Sequence, residues 1–342
     1  MSVGNRAEHK VSTTVNCNFF TTLESFGERF ESKIAGRPVT ILMPVIETAG
    51  GKMVALAPDA DRLSSDDLYN ALLMRGGSMW ARFILGGDGP LYEPRIANVS
   101  MLGVKATLRA ADVADYESLR KLERRADDWW AAVTSWIEVL SGQDIKQIGP
   151  ARQLWHNGTH LQFFPLNEQE RLESAISAAT PDVSGVVSSD QLRASFLHAG
   201  NGQLPPDEWL FLRDARSLHR AGEYRRALID VGSAAEVALA RIVENELADR
   251  SESPAFIAGK LSAMESLTLG QKIGYVEGHL KLRKLPPSFE SVVLNKRNDA
   301  VHLRPTRKID AERAIGKTTK LVERATPLAS LLCASGPAGR DG

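Results

Sequence analysis

The chain has 342 residues, of which 43% are hydrophobic and 25% are charged, and its 42 basic residues balance 42 acidic ones. This composition is typical of a soluble globular protein of two domains and excludes disorder on a large scale. Two cysteines, Cys17 and Cys333, are too few for a disulfide framework, so the expected compartment is a reducing cytoplasm. The sequence shows neither a signal peptide nor an apolar run long enough for a bilayer, so we expect no membrane partner.

The first part of the chain is predicted to be rich in β-strands. Val11, Thr13, Val15, Cys17 and Phe19 alternate with polar neighbours, as on a half-buried strand. Further strands are predicted, with glycine pairs as turns between them, over residues 38–46, 52–57, 79–85 and 95–108.

A single long helix and a hairpin are predicted to follow. Apolar residues recur at steps of three and four from Tyr116 to Leu140, which indicates one apolar stripe along a helix. Asn157-Gly158 is a strong signal for a two-residue hairpin. In that register His156 and His160 point to opposite faces, so they are not expected to share a metal ion.

The domain boundary is predicted between Thr180 and Asp207, where turn residues are frequent. The N-terminal domain then covers residues 1–180, a linker with a short helix at 190–198 covers 181–206, and a helical domain covers 207–333. We expect residues 334–342 to be a disordered tail.

Five helices are predicted in the last part. The first carries Trp209, Leu212, Ala215 and Leu218 on one face, and the second runs from Tyr224 to Ile242. The remaining three are predicted after a capping box at Thr268 and Gln271, after Pro286-Pro287, and from a cap at Asp310 to about Leu332. The prediction is therefore an α+β protein, with a β-rich N-terminal domain followed by an all-α bundle.

Basic residues are concentrated in the helical part. Between Lys281 and Lys308 there are eight basic residues against Glu290 and Asp299 only. Such a segment favours an anionic partner such as a nucleic-acid backbone, although a solvated basic face explains the charge equally well.

The segment around Arg297 contains the best candidate for chemistry. The chain lacks the common phosphate-binding, dinucleotide-binding, zinc-protease and nucleophile-elbow motifs, so we predict no metal and no cofactor. In contrast, Arg297, Asn298 and His302 lie within six positions. A histidine can transfer protons near neutral pH, and a guanidinium can hold the extra charge of a phosphoryl transition state. Together they can cleave RNA without a metal ion.

Arg297-x4-His302, with Asn298 directly after the arginine, resembles the RNxxxH motif of the HEPN ribonucleases. Residues 221–236 resemble the long helix of that family, and residues 267–273 are similar to segments between the two. The resemblance covers about residues 207–332. It implies catalytic roles for Arg297, His302 and Asn298. Glu236, on the predicted long helix, is a further residue that could reach this site.

The resemblance also implies a function. A homodimer through the bundle would place two motifs at one cleft, where RNA is bound by Lys296, Arg304, Arg307 and Lys308. We expect an endoribonuclease effector of antiviral defence or stress, acting as a toxin, with the N-terminal domain as the sensor of an unknown trigger. The alternative is a HEPN-type module that binds RNA or dimerises without cleavage. A third, weaker alternative is a small-molecule enzyme with a pocket between the domains.

Helical geometry restricts how the motif can act. Five residues at about 100° each place Arg297 and His302 about 140° apart on an unbroken helix. Either the helix ends near Ala300, or the two residues come from different protomers. A purely structural role is the remaining alternative, in which both residues cap a helix end and pair with acids such as Glu290.

Overall fold

The computed structural model describes residues 8–49, 52–58, 81–84, 96–112, 114–146, 148, 185–279 and 285–333. The predicted hairpin at Asn157-Gly158 and the tail at 334–342 lie outside these residues. Within them, an antiparallel sheet and a long helix form the first part of the protein and helices form the second. The predicted α+β class is therefore confirmed.

The strands form one sheet and one separate ribbon. The sheet has the order β1-β7-β3-β2, with β6 also paired to β7, and the ribbon consists of β4 and β5. All pairings are antiparallel. The strands are β1 (Glu8–Thr22), β2 (Arg29–Ile34), β3 (Arg37–Leu42), β4 (Val45–Ala49), β5 (Lys52–Leu56), β6 (Ala81–Ile84) and β7 (Ile96–Arg109).

Two details of the sheet differ from the prediction. The strand predicted over 38–46 is two strands, separated at Met43 and Pro44, where the Pro44 carbonyl accepts a hydrogen bond from Gly27 instead of continuing a ladder. Strand β2 was not predicted, because Ser32 interrupts the apolar series of its inward face. Ser32 is buried all the same, since its hydroxyl donates to the Phe196 carbonyl and accepts from the Trp129 indole.

Two helices cover the sheet. Helix α1 (Tyr116–Ser141) confirms the predicted long helix; Asp115 caps its start and Gly142, in the left-handed conformation, ends it. Helix α2 (Ser189–Gly200) begins with a capping box at Ser188 and Gln191. Phe196 of α2 stacks on Trp129 of α1, with ring centroids 6.1 Å apart. The segment 189–200, predicted within a linker, therefore belongs to the core of the N-terminal part.

The second part is a helical bundle around a central helix, α4. The apolar stripe of α4 is buried as predicted, with Leu228, Val231, Ala235 and Leu239 fully enclosed. The helices are α3 (Asp207–Arg220), α4 (Tyr224–Asp249), α5 (Pro254–Glu265), α6 (Leu269–Gly274), α7 (Asn295–Val301), α8 (Lys308–Ala325) and α9 (Leu328–Leu332). Single π-helical turns follow α6 and precede α7, at Tyr275–His279 and Glu290–Leu294.

The bundle differs from the prediction in two places. Helix α5 was not predicted, because its apolar residues are not confined to one face; Ser253 caps it and Pro254 opens it. The last predicted helix is divided, since α8 ends at Ala325 and Pro327 precedes α9. Asp310 is not its cap. Arg307 occupies the cap position, and Asp310 lies in the first turn, where Arg307 pairs with it at 2.9 Å.

The two parts are joined by a buried ion pair. The Glu138 carboxylate of α1 is 2% exposed and lies 3.3 Å from the Arg213 guanidinium of α3. It also accepts the backbone N–H groups of Ile145 and Lys146 at 2.9 and 2.7 Å. Burial raises the pKa of Glu138, and these donors oppose that shift. Among the helices described, none has the length and apolarity needed to cross a membrane.

Candidate active site

Arg297 lies on α7 and its side chain runs across α4. A Cβ atom added to Gly232 of α4 would stand 2.6 Å from Cγ of Arg297 and 3.3 Å from its Nε. The arginine is 31% exposed, and its Nε is buried without a hydrogen-bond partner among the described residues. Arg297 can therefore pack against α4 at this position because residue 232 is a glycine and has no side chain.

Three segments of the sequence meet at this arginine. Glu236, one turn beyond Gly232 on α4, lies 3.8 Å from the Arg297 guanidinium. The ammonium group of Lys272 on α6 lies 3.1 Å from the same carboxylate. Lys272, Glu236 and Arg297 form what we call the site triad, with one net positive charge. Glu236 therefore reaches Arg297 from the long helix, and its part in the chemistry stays a prediction; Lys272 was not anticipated.

Asn298 is beside the triad. Its side-chain oxygen accepts a hydrogen bond from Nη1 of Arg297 at 3.4 Å, and its backbone carbonyl accepts one from the His302 N–H at 3.0 Å. Asn298 therefore contacts the arginine through its side chain and the histidine through its backbone.

His302 ends the helix and is exposed. Helix α7 stops at Val301, close to the expected end at Ala300, and Arg225 of α4 closes it by donating to the Ala300 carbonyl at 2.8 Å. Within the described residues, no hydrogen bond or ion pair joins the His302 ring to Arg297. The structure places Arg297 against α4 and leaves His302, which lies beyond the end of the helix, exposed to solvent.

The residue after His302 has an unusual backbone. Leu303 adopts a left-handed φ of 62° and is 69% exposed. A leucine in this conformation costs on the order of 1 kcal/mol, and here no burial offsets that cost. Val301 and Ile309 nearby in the chain are each 41% exposed. Three exposed apolar residues, Val301, Leu303 and Ile309, thus lie within seven positions of His302 in the chain, and we call them the apolar rim.

The predicted RNA-binding residues lie on the surface, and three of them are paired. Arg304 contacts Asp299 at 3.0 Å, Arg307 contacts Asp310 at 2.9 Å, and Lys296 lies 3.7 and 4.0 Å from the same two acids. The side chain of Lys308 is exposed, and no ion pair of the described residues includes it. Arg304 and Arg307 are 70% and 71% exposed although their acids are less exposed, so both guanidinium groups remain accessible to a phosphate.

Within the described part of the chain, no cluster of three or more His, Cys, Asp or Glu side chains is arranged to hold a metal ion. Glu290, the acid that a purely structural role would use, forms no ion pair with Arg297 there; Glu236 does.

Comparisons with known proteins give no relative. The chain matches no family model, no curated protein and no solved structure.

Proposed function

We propose that the helical bundle is a HEPN-like endoribonuclease that cleaves RNA without a metal ion. The observation that carries the proposal is the site triad. The three segments that resemble the family, at 221–236, 267–273 and 297–302, are far apart in the chain and contribute Glu236, Lys272 and Arg297 to one cluster.

The proposed reaction assigns one role to each polar group. His302 accepts the proton of the ribose 2′-hydroxyl, whose oxygen attacks the adjacent phosphorus, and water protonates the departing 5′-oxygen; in the reverse assignment water accepts the 2′-proton and His302 protonates the 5′-oxygen. Arg297 stabilises the negative charge of the transition state. The products are a 2′,3′-cyclic phosphate and a free 5′-hydroxyl. Glu236 and Lys272 hold the guanidinium in place, and Asn298 orients it.

Two protomers supply a complete site. Arg297 lies against α4, whereas the His302 ring is in solvent and has no contact with Arg297 among the described residues, so we assign the two groups at one phosphate to different protomers. The apolar rim around His302 fits a second copy of the chain, since exposed leucine and isoleucine side chains are stabilised by mutual burial. The biological role that we propose is an effector of defence or stress in the cytoplasm, with the N-terminal part as sensor.

The separation of the His302 ring from Arg297 also favours a second function, RNA binding without cleavage. If the exposed His302 ring stays apart from Arg297 in the dimer as well, the bundle binds RNA through Lys296, Arg304, Arg307 and Lys308 without cutting it.

Incubation of the full chain with total RNA in EDTA tests the proposal. We expect fragments ending in cyclic phosphate. His302→Ala should lower the cleavage rate by about 10²–10⁴-fold, because it removes the proton-transfer group. Arg297→Ala should lower turnover more than RNA affinity, and Arg297→Lys should rescue little, since lysine lacks the bidentate fork.

Arg250→Ala is the matched control, because Arg250 lies at the far end of α4 and is exposed. It should cut RNA at the wild-type rate. Overexpression should arrest growth, and the His302 and Arg297 variants should relieve the arrest at equal protein level. RNA that is retarded but intact would support the binding function instead. Undiminished cleavage by both alanine variants would refute the assigned site.

A further inference from the structure

A cavity of about 220 Å³ opens in the N-terminal part, on elements that the candidate active site does not use. Three elements form its walls: the turn between β2 and β3, the short 3-10 turn Ala110–Asp112 after β7, and the first half of α1. Ser118, Lys121, Leu122 and Arg125 line the helical wall, and their spacing puts them on one helix face.

The tight turn between β2 and β3 brings Arg37 to this cavity. Ala35 and Gly36 both have positive φ, of 54° and 74°, so the hairpin closes in two residues. Arg37 follows at once and opens β3. The side chain of Arg37 is 22% exposed, so it is held at the cavity wall rather than extended into solvent.

Arg37 is fixed in place by Asp112. Nη2 of Arg37 lies 2.5 Å from Oδ1 of Asp112, and the other oxygen, Oδ2, accepts the backbone N–H of Arg109 at 2.9 Å. The hydrogen bond from the Arg109 N–H and, to a lesser extent, the Arg37 guanidinium lower the pKa of Asp112. Desolvation of the carboxylate opposes this shift. Both oxygens of Asp112, the one acid among the described residues of the cavity wall, are therefore engaged, while no further hydrogen bond of the Arg37 guanidinium is formed with these residues.

The other two cations of the wall have no partner. Within the described residues, no hydrogen bond or ion pair engages the head group of Lys121 or Arg125. Asp115, which precedes α1, caps the helix by accepting from the Ser118 N–H at 2.8 Å. The wall thus carries Arg37, Lys121 and Arg125 against Asp112 alone, a net charge of +2.

We propose that this cavity binds the phosphate group of a small phosphorylated metabolite. A phosphate monoester carries about −1.5 to −2 charges at pH 7, which matches the wall, and its oxygens accept the paired N–H groups of a guanidinium. The volume is below the ~300–1,000 Å³ of sites for drug-sized molecules, so the phosphate enters and the rest of the ligand extends outward. A cavity closed by three elements suits one phosphate better than a continuous RNA strand. The site is independent of the proposed RNA cleavage.

Titration calorimetry of the full chain in a phosphate-free buffer tests this site. The probes are inorganic phosphate, ribose 5-phosphate, ribose and a single-stranded RNA oligonucleotide. We expect one molecule of phosphate or ribose 5-phosphate to bind each chain, and ribose not to bind. Lys121→Ala and Arg125→Ala should each weaken binding by about tenfold or more, because each removes a charged hydrogen-bond donor.

Arg124→Ala is the matched control, since Arg124 is exposed on α1 and does not line the cavity. It should bind ribose 5-phosphate as tightly as the wild type. Lys121 and Arg125 are also exposed, so all three variants should unfold at the same temperature without ligand, and a loss of binding is then not a loss of fold. Failure of both phosphates to bind would overturn the proposal. Equal weakening by Arg124→Ala, or competition for the site by RNA alone, would overturn it as well.

Discussion

Arg297 crosses helix α4 at the one place where that helix has no side chain, because a Cβ atom on Gly232 would lie 2.6 Å from Cγ of Arg297. Cγ is close to the backbone of α7 and cannot move far unless the side chain changes rotamer or the helix shifts. Gly232 is therefore part of the candidate site, although it contributes no functional group.

Gly232→Ala should displace Arg297 and lower RNA cleavage by at least about tenfold, as small misplacements at an active site do. Alanine normally stabilises a helix interior by about 0.5–1 kcal/mol relative to glycine, and the clash should cancel that gain. Gly316→Ala on α8 is the control, since nothing lies within 4 Å of its added Cβ. Urea unfolding should show the gain for Gly316→Ala only. An equal gain at both positions would mean that the close approach of Arg297 is not real.

Leu303→Asn should weaken the proposed dimer by about tenfold or more while stabilising each protomer by up to about 1 kcal/mol. The change removes the most exposed member of the apolar rim, and asparagine tolerates the left-handed φ of 62° better than leucine does. Sedimentation at micromolar concentration and thermal unfolding measure the two effects. Leu204→Asn, at a position 64% exposed in the turn before α3, should change neither. If Leu303→Asn dimerises as tightly as the wild type, the apolar rim is not part of the dimer interface.

Asp230→Asn should be more stable than the wild type at neutral pH and about as stable as the wild type at acid pH. Desolvation raises the pKa of Asp230 from 3.8 to about 6. Repulsion from Asp214 adds to this shift, and the charge of Arg226 opposes it. The Asp230 proton is thus bound more tightly in the folded state, and this stabilisation is lost as pH rises through about 6.

Asparagine removes the charge at all pH values. At pH 7.5 we expect the free energy of unfolding of Asp230→Asn to exceed that of the wild type by about 1 kcal/mol, a value reduced for the partial exposure of the group. At pH 4.5 the difference should be small. Urea unfolding at both pH values measures it, with the exposed Asp249→Asn on the same helix as control. A difference that does not depend on pH would contradict the explanation.

Glu138→Ala should lower the free energy of unfolding by about 3 kcal/mol, because it leaves the backbone N–H groups of Ile145 and Lys146 without their acceptor and removes one of the two carboxylates that pair with Arg213. Glu138→Gln should cost about half as much, since its side-chain oxygen can still accept both N–H groups. Glu123→Ala, exposed on the same helix, should stay within about 0.5 kcal/mol of the wild type. Denaturant unfolding of the three variants measures these differences. An equal loss of unfolding free energy in all three would contradict the role assigned to Glu138.

Helices α1, α3 and α4 were predictable because an apolar stripe is a local property of the sequence, and so is the capping box at Thr268. Strand β2 and helix α5 could not be predicted from such local patterns. Ser32 is acceptable inside β2 only because its two hydrogen-bond partners come from α1 and α2, at Trp129 and Phe196. No local pattern contains such partners.

For the candidate site, the sequence by itself determined the motif, since Arg297, Asn298 and His302 are neighbours in the chain and their chemistry follows from their types. Only the tertiary structure decided what surrounds them. Packing of α6 and α7 on α4 brought Lys272 to Glu236 and placed Arg297 in the gap at Gly232, whereas the end of α7 left His302 in solvent. The reason is physical: side-chain chemistry depends on residue type, but burial and charge pairing depend on residues that are distant in sequence and adjacent only after folding.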